Sequence, residues 1–157
     1  LVGPPHALLE AGVAALVARG HLLVAAVGND GPGAAPLYPA AYRGVVAVTG
    51  VDARRRVLPE AGRGPQVAFS APGSDMVAAS LDGRFTRVRG TSFAAPLAAG
   101  RLARLLPSPD PAGARRALEN LRREAVDLGA PGPDPVYGQG LVAADLAMRP
   151  ATLSARR

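Results

Sequence analysis

The centre of this sequence is Gly90-Thr91-Ser92-Phe93-Ala94-Ala95-Pro96-Leu97-Ala98-Ala99-Gly100, a small turn that leads into an almost wholly apolar segment. Gly90 can adopt backbone angles that a residue with a Cβ resists, and Ser92 stands where a helix begins. Pro96 is tolerated only near the start of a helix, because it has no N–H to donate. We therefore predict a helix from Phe93 to about Leu106, and its apolar character on nearly every side predicts an interior position.

Ser92 has two interpretations at this position. The common one is an N-cap, in which the side-chain oxygen accepts a hydrogen bond from the first turn of the helix. The other is a nucleophile, because the unpaired N–H groups and partial positive charge of a helix N-terminus stabilise an oxyanion formed beside it. Position alone favours the N-cap, so the choice depends on the rest of the sequence.

The chain has the composition of a single globular domain. Its 157 residues are 48% hydrophobic and 19% charged, which is enough for a sizeable core. There is no cysteine, which excludes disulfides and thiolate metal sites, and no apolar run is long enough for a membrane span. The net charge is +6, but the arginines are scattered and no aromatic residues interleave with them, so we do not expect nucleic-acid binding.

Helical patterns and apolar runs follow one another in the order of an α/β protein. A helix is predicted from His6 to Arg19, and the runs 22–27 and 44–51 are typical of parallel strands that are covered on both faces. Three shorter strands are predicted at 66–70, 75–80 and 84–89, and Asp82-Gly83 predicts a hairpin turn between the last two. Two more helices are predicted at 111–123 and 141–148.

The segment from Gly90 to Pro96 resembles the nucleophile motif of the subtilisin-like serine proteases. Other segments resemble that family in the same order along the chain: Leu1-Val2-Gly3-Pro4, Gly28-Asn29-Asp30-Gly31, Leu37-Tyr38-Pro39, Phe69-Ser70-Ala71-Pro72-Gly73 and Tyr137-Gly138-Gln139-Gly140. The resemblance implies a three-layer α/β fold with a mainly parallel sheet and a buried central helix. It also implies that residues 1–148 are the C-terminal portion of a peptidase domain, followed by a tail at 149–157.

The resemblance makes Ser92 the nucleophile and the side-chain amide of Asn29 the donor to the oxyanion. Asn29 follows an apolar run, at the end of a strand where α/β sheets place their sites. A peptide or protein substrate is expected to contact Leu1, Val2, Gly3, Ala25, Ala26, Val27, Gly28, Leu37 and Thr91. An apolar or small neutral side chain should fit the first specificity pocket, although a residue smaller than Leu37 is common at its floor.

The base that would activate Ser92 is not found in the sequence. The family carries its catalytic aspartate in an Asp-Ser/Thr-Gly segment and its histidine in His-Gly-Thr, and neither segment occurs here. His6 and His21 lack a context that would orient them toward the nucleophile. We therefore expect the acid–base half of the domain on a preceding segment of the same precursor or on a partner fragment, and we expect this chain alone to be inactive.

Other interpretations stay open. A pseudoprotease could keep the cleft and bind a peptide as an added strand without cleaving it. A nucleotide-binding domain is less well supported, because no helix opens on the glycine-rich segment 28–33. We predict no required cofactor and no dedicated metal centre, although the carbonyls of Ala40, Tyr42 and Val45 match where some relatives hold calcium or sodium. Relatives are mostly exported, which implies a secreted or cell-envelope protein.

Overall fold

The structure is a computed structural model that describes residues 2–147. Within these residues, three helices, five strands and a final 3₁₀ turn follow one another: α1 Ala7–Ala18, β1 Val24–Ala26, β2 Val46–Val51, β3 Val67–Pro72, β4 Met76–Ala79, β5 Phe85–Val88, α2 Thr91–Leu105, α3 Pro111–Glu124 and the 3₁₀ turn Ala144–Leu146. The predicted α/β class is confirmed, and the predicted elements match closely except at the last one. None of the described helices is both long and apolar enough to cross a bilayer.

The main sheet consists of β1, β2 and β3, which are parallel and lie in that order with β2 in the middle. Val24 pairs with Val46, and β3 carries one extra residue, Ala68, opposite the step from Ala47 to Val48. β4 and β5 form a separate antiparallel hairpin, as the Asp82-Gly83 signal predicts. Because parallel strands end at the same edge of a sheet, the segments that follow β1 and β2 meet at that edge.

α2 is the central helix, and it contacts all three strands of the main sheet as well as α3. One core joins its inner stripe to β2, β3 and α3, and includes Val46, Val48, Phe69, Ala71, Ala94, Ala98, Leu102, Ala117 and Leu121. The opposite face of α2, at Pro96, Gly100 and Ala103, is exposed. Residues 2–147 therefore cover only one side of a helix that is apolar almost all round.

The segment after Gly140 differs from the sequence prediction. A helix over 141–148 is wrong at its start, because Leu141 is extended and exchanges two backbone hydrogen bonds with Val126. The Val142 N–H donates to the Ser70 carbonyl, which attaches the segment to β3. Pairing with other chain segments thus outweighs the helical pattern, and only the short 3₁₀ turn remains of it. Residue 148 and the predicted tail 149–157 lie outside the described residues.

Candidate active site

The start of α2 is set by Gly90. Its φ of 129° lies where a Cβ is unfavourable, and its N–H donates to the Gly73 carbonyl at 2.8 Å. Gly90 is the N-cap, so Ser92 is the second helical residue and the N-cap interpretation of Ser92 is wrong. The Ser92 side chain is exposed, and the structure gives its hydroxyl no hydrogen-bond partner within residues 2–147. An exposed hydroxyl at the mouth of a helix is accessible to a substrate carbonyl, and a base from outside these residues would still be needed to activate it.

Asn29 lies directly against this helix start. It follows β1, and its Oδ1 accepts a hydrogen bond of 3.0 Å from the Thr91 N–H. The Thr91 hydroxyl donates to the Gly28 carbonyl at 3.3 Å, so the same residue holds both the Asn29 side chain and the backbone before it. Because the carboxamide oxygen is occupied by a donor, the amide nitrogen of Asn29 is the end left to donate elsewhere.

The arrangement can stabilise a negative oxygen next to Ser92. The N–H of Ser92 belongs to the first turn of α2, whose amides have no intrahelical acceptor. Together with the Asn29 amide it offers two donors in the positive field of the helix N-terminus. Two such donors beside an exposed hydroxyl provide the oxyanion-stabilising part of an acyl-transfer site, which also needs a base.

One wall of the cleft is built from the segments before α1 and after β1. Gly3 exchanges two backbone hydrogen bonds with Tyr38, at 3.0 and 2.9 Å. That pairing places Leu37 against the second segment, where its Cδ1 lies 2.5 Å from the position a Cβ on Gly28 would take. Val2 is exposed beside Gly3, whereas Leu1 lies outside the described residues.

The other predicted substrate contacts differ in how far they are open. Ala25 and Ala26 are partly buried, while the side chains of Val27 and Thr91 are buried. The exposed fractions, 2% for Val27 and 0% for Thr91, include the backbone atoms, and contact of either residue with a substrate stays a prediction. The role that the structure shows for the Thr91 side chain is support of Gly28, which the sequence pattern did not reveal.

Neither histidine is placed as a base for Ser92. His21 lines a cavity with Ala99 and Ala103. Ala103 is about 16 Å along α2 from Ser92 at 1.5 Å per residue. His6 caps α1, where its backbone N–H and C=O both bond to the Tyr42 hydroxyl. The roles of Ser92 as nucleophile and Asn29 as oxyanion donor stay predictions, and these hydrogen bonds and this cavity place neither His6 nor His21 against Ser92.

An ion pair borders the site on the side of β5, and sequence reasoning missed it. Arg89 donates from Nε and Nη2 to the two carboxylate oxygens of Glu60, at 2.7 and 2.8 Å. These hydrogen bonds hold the pKa of Glu60 below its ordinary value and raise the pKa of Arg89. The partners lie far apart in sequence without a shared periodicity, so no local signal predicts the pair.

The calcium position suggested by the resemblance stays a prediction. The Tyr42 carbonyl already accepts a hydrogen bond of 3.2 Å from the Val45 N–H, which leaves one of its lone pairs for an ion. Within the described residues, no group of three or more His, Cys, Asp or Glu side chains could hold a metal.

The comparisons with known proteins agree on one family. The model of the Subtilase family matches residues 6–140. The minor extracellular protease Epr of Bacillus subtilis (strain 168) is 42% identical over 125 residues, which cover 79% of this chain and 19% of that protein. Subtilisin Savinase of Lederbergia lenta is 34% identical over 146 residues, which cover 92% of this chain and 52% of that protein.

Solved structures show the same architecture. The structure of the prenylagaramide maturation protease PagA superposes with a TM-score of 0.75 at 27% identity, over 89% of this chain and 54% of that chain. The predicted three-layer α/β fold with its mainly parallel sheet is thereby confirmed. This chain spans about half or less of the length of the relatives named here.

Proposed function

This chain belongs to the subtilase family, and from that premise we propose that it is the C-terminal part of a serine endopeptidase domain. It supplies the nucleophile Ser92 and the oxyanion donor Asn29, while a histidine and an aspartate come from a segment outside residues 1–157. One observation carries the proposal. At the N-terminus of α2, Ser92 is exposed and does not cap the helix, and the neighbouring Thr91 donates its N–H to the carboxamide oxygen of Asn29.

The reaction follows from that geometry. The Ser92 Oγ attacks the carbonyl carbon of the peptide, and its proton passes to the incoming histidine. The carbonyl oxygen becomes an oxyanion, which accepts hydrogen bonds from the Asn29 side-chain amide and the Ser92 N–H. Collapse of this intermediate breaks the C–N bond, and the histidine returns the proton to the leaving amine. Water then attacks the acyl-serine by the same route and releases the second product.

The surface of the chain supports the existence of a second half. Within the described residues, β1 pairs with β2 on one edge and has no strand on the other, although parallel strands are rarely left open. Leu8 and Leu9 on α1 are 77% and 46% exposed, and they line an apolar groove that extends to Leu23 before β1. Apolar surface of this extent beside an open strand edge marks a packing face.

A second candidate function is a pseudoprotease that binds peptides without cleaving them. The observation that favours it is the position of His6 and His21, neither of which lies beside Ser92. In that case the segment around Gly3, which pairs with Tyr38, would hold a peptide as an added strand.

The first prediction separates the two functions. We expect the 157-residue chain alone to hydrolyse no casein, because Ser92 has no base. We expect the longer polypeptide, which is this chain with the preceding segment of its reading frame, to hydrolyse casein and to lose that activity with a sulfonyl fluoride. Release of labelled fragments measures both. If the 157-residue chain hydrolysed casein and Ser92→Ala removed that activity, the proposal that the base comes from another segment would be overturned. A longer polypeptide that binds casein without cleaving it would establish the pseudoprotease instead.

The second prediction concerns the residue accepted before the cleaved bond. Leu37 packs directly on Gly28. Because Leu37 is predicted to close the floor of the first pocket, we propose that this pocket takes small side chains such as Gly, Ala and Ser. In the longer polypeptide, Leu37→Gly should raise kcat/KM for a Phe or Leu substrate about 10- to 200-fold relative to an Ala substrate. Leu37→Ile, which keeps the volume, is the matched control. An unchanged order of substrates in Leu37→Gly would contradict the role of Leu37.

We also propose that the protein is secreted or attached to the cell envelope. The support is the description of its relative Epr as an extracellular protease. The peptide or protein that it cleaves, and a calcium ion near Tyr42, are parts of the same proposal.

A further inference from the structure

Three short segments meet at the turn that carries the exposed residue Asn29: 28–31, 58–62 and 89–91. The Gly31 N–H donates to the Glu60 carbonyl at 2.8 Å, and the Gly62 N–H donates to the Gly28 carbonyl at 3.1 Å. Thr91 bonds to Asn29 and to Gly28 from the other side. We call these three segments the support ring, because their hydrogen bonds link the turn that carries Asn29 to segment 58–62 and to the start of α2.

The support ring is closed by the ion pair between Glu60 and Arg89. Segment 58–62 is bonded to segment 28–31, and segment 28–31 to Thr91, so Arg89 provides the remaining junction between 89–91 and 58–62. The junction is bidentate, which fixes the orientation of two planar groups as well as their distance. It lies three residues before Ser92, on the same stretch of backbone.

We propose that Glu60 and Arg89 are a positioning pair that fixes the angle of the Asn29 carboxamide relative to Ser92. The proposal rests on the proposed peptidase function. The pair acts through the Gly31 N–H and through Thr91 rather than on the reacting atoms. When the pair is broken, segment 58–62 can move away from the helix entrance, and Asn29 samples orientations in which its amide no longer faces the oxyanion.

The expected effect is modest because the pair is partly exposed. The side chains of Arg89 and Glu60 are 52% and 31% exposed, and pairs in such surroundings are weak. We expect Glu60→Gln and Arg89→Gln to lower kcat about two- to fivefold with KM unchanged, since the loss falls on the transition state. Arg89→Lys keeps the charge without the planar fork and should fall between these variants and the parent.

The chain offers a matched control. Arg56 also forms an ion pair with a carboxylate, since its Nε and Nη2 both contact the Oδ2 of Asp52, at 2.9 and 2.8 Å, in the same connection between β2 and β3. That pair takes no part in the support ring. Arg56→Gln therefore removes the same chemistry from the same loop, and we expect it to leave kcat and the behaviour of Thr91 unchanged.

Two measurements test the proposal. In the longer polypeptide, hydrogen exchange followed by NMR should show the Thr91 amide exchanging about two- to fivefold faster in Glu60→Gln and in Arg89→Gln, with the amides of β2 unchanged. In the longer polypeptide, steady-state kinetics should show the fall in kcat at constant KM. Faster exchange throughout the core together with a lower Tm would reduce the pair to a general structural contact and overturn the proposal. An exchange rate of the Thr91 amide equal to that of the parent in both Glu60→Gln and Arg89→Gln would overturn it as well.

The two readouts also separate this inference from the peptidase proposal. If the longer polypeptide has no activity while Thr91 exchange rises in Glu60→Gln and Arg89→Gln but not in Arg56→Gln, the peptidase function fails and the support ring stands as a structural device. If the parent is active and Glu60→Gln, Arg89→Gln and Arg89→Lys all match its Thr91 exchange and its kcat, the peptidase function stands and the proposed positioning role of the pair is wrong.

Discussion

Replacement of Ser92 by Ala is expected to abolish peptide hydrolysis by the longer polypeptide. In this structure Ser92 neither caps α2 nor bonds to another described side chain, so replacing it with Ala removes no stabilising hydrogen bond. The loss should therefore appear in kcat and not in stability. In subtilisin, a member of the same family, removal of the nucleophilic serine lowers kcat about 2 × 10⁶-fold, and we take that measured value as the expected scale.

The measurement is the initial rate of peptide hydrolysis, combined with covalent labelling by a fluorophosphonate. Ser108→Ala is the matched control, because Ser108 is also exposed but lies beyond the other end of α2. We expect Ser108→Ala to keep the parent rate and its labelling. A Ser92→Ala protein with the parent Tm and more than about one hundredth of the parent kcat would exclude Ser92 as the nucleophile, since a lost nucleophile costs far more.

The sequence predicts the order of elements well because local patterns determine it. The apolar runs of β1 and β2 and the breaker residues around α2 are local signals, and the structure confirms each of them. The meeting of Asn29 with the start of α2 follows from a general rule, since residues after parallel strands share one edge of the sheet. The particular bond from the Thr91 N–H to the Asn29 oxygen does not follow, because it depends on the distance between two elements that are remote in sequence.

The errors have the same origin. The sequence predicts that the central helix begins at Phe93, but α2 begins at Thr91, and Gly90, whose N–H is bonded to the Gly73 carbonyl, takes the capping position with a positive φ. The pattern at 141–148 predicts a helix, but Val126 bonds to both backbone groups of Leu141, and Ser70 in β3 bonds to the carbonyl of Gly140 and the N–H of Val142. The Glu60–Arg89 pair joins two loops whose sequences contain no local pattern that predicts the contact. Tertiary contacts decide these three features, and a single sequence does not display them.

The second large effect is expected at Asn29, whose two side-chain atoms have separate tasks. Oδ1 accepts from the Thr91 N–H, and the amide nitrogen is left for the oxyanion. Asn29→Asp keeps the acceptor and removes the donor, whereas Asn29→Ala removes both. In subtilisin the loss of the corresponding donor costs about 10²–10³ in kcat, and we expect both variants of the longer polypeptide to lose at least that much with little change in KM.

The comparison of the two Asn29 variants isolates the donor. Only Asn29→Ala should speed exchange of the Thr91 amide, because Asn29→Asp still accepts its hydrogen bond. Asp30→Asn is the matched control: it makes the reverse change at the exposed neighbouring position, and we expect its kcat to equal that of the parent. If Asn29→Asp retained more than about a tenth of the parent kcat, the oxyanion would have to be held by backbone N–H groups alone, since loss of a working amide donor costs a larger factor. The start of α2 would then be the whole of the oxyanion site, and Asn29 a residue that orders Thr91.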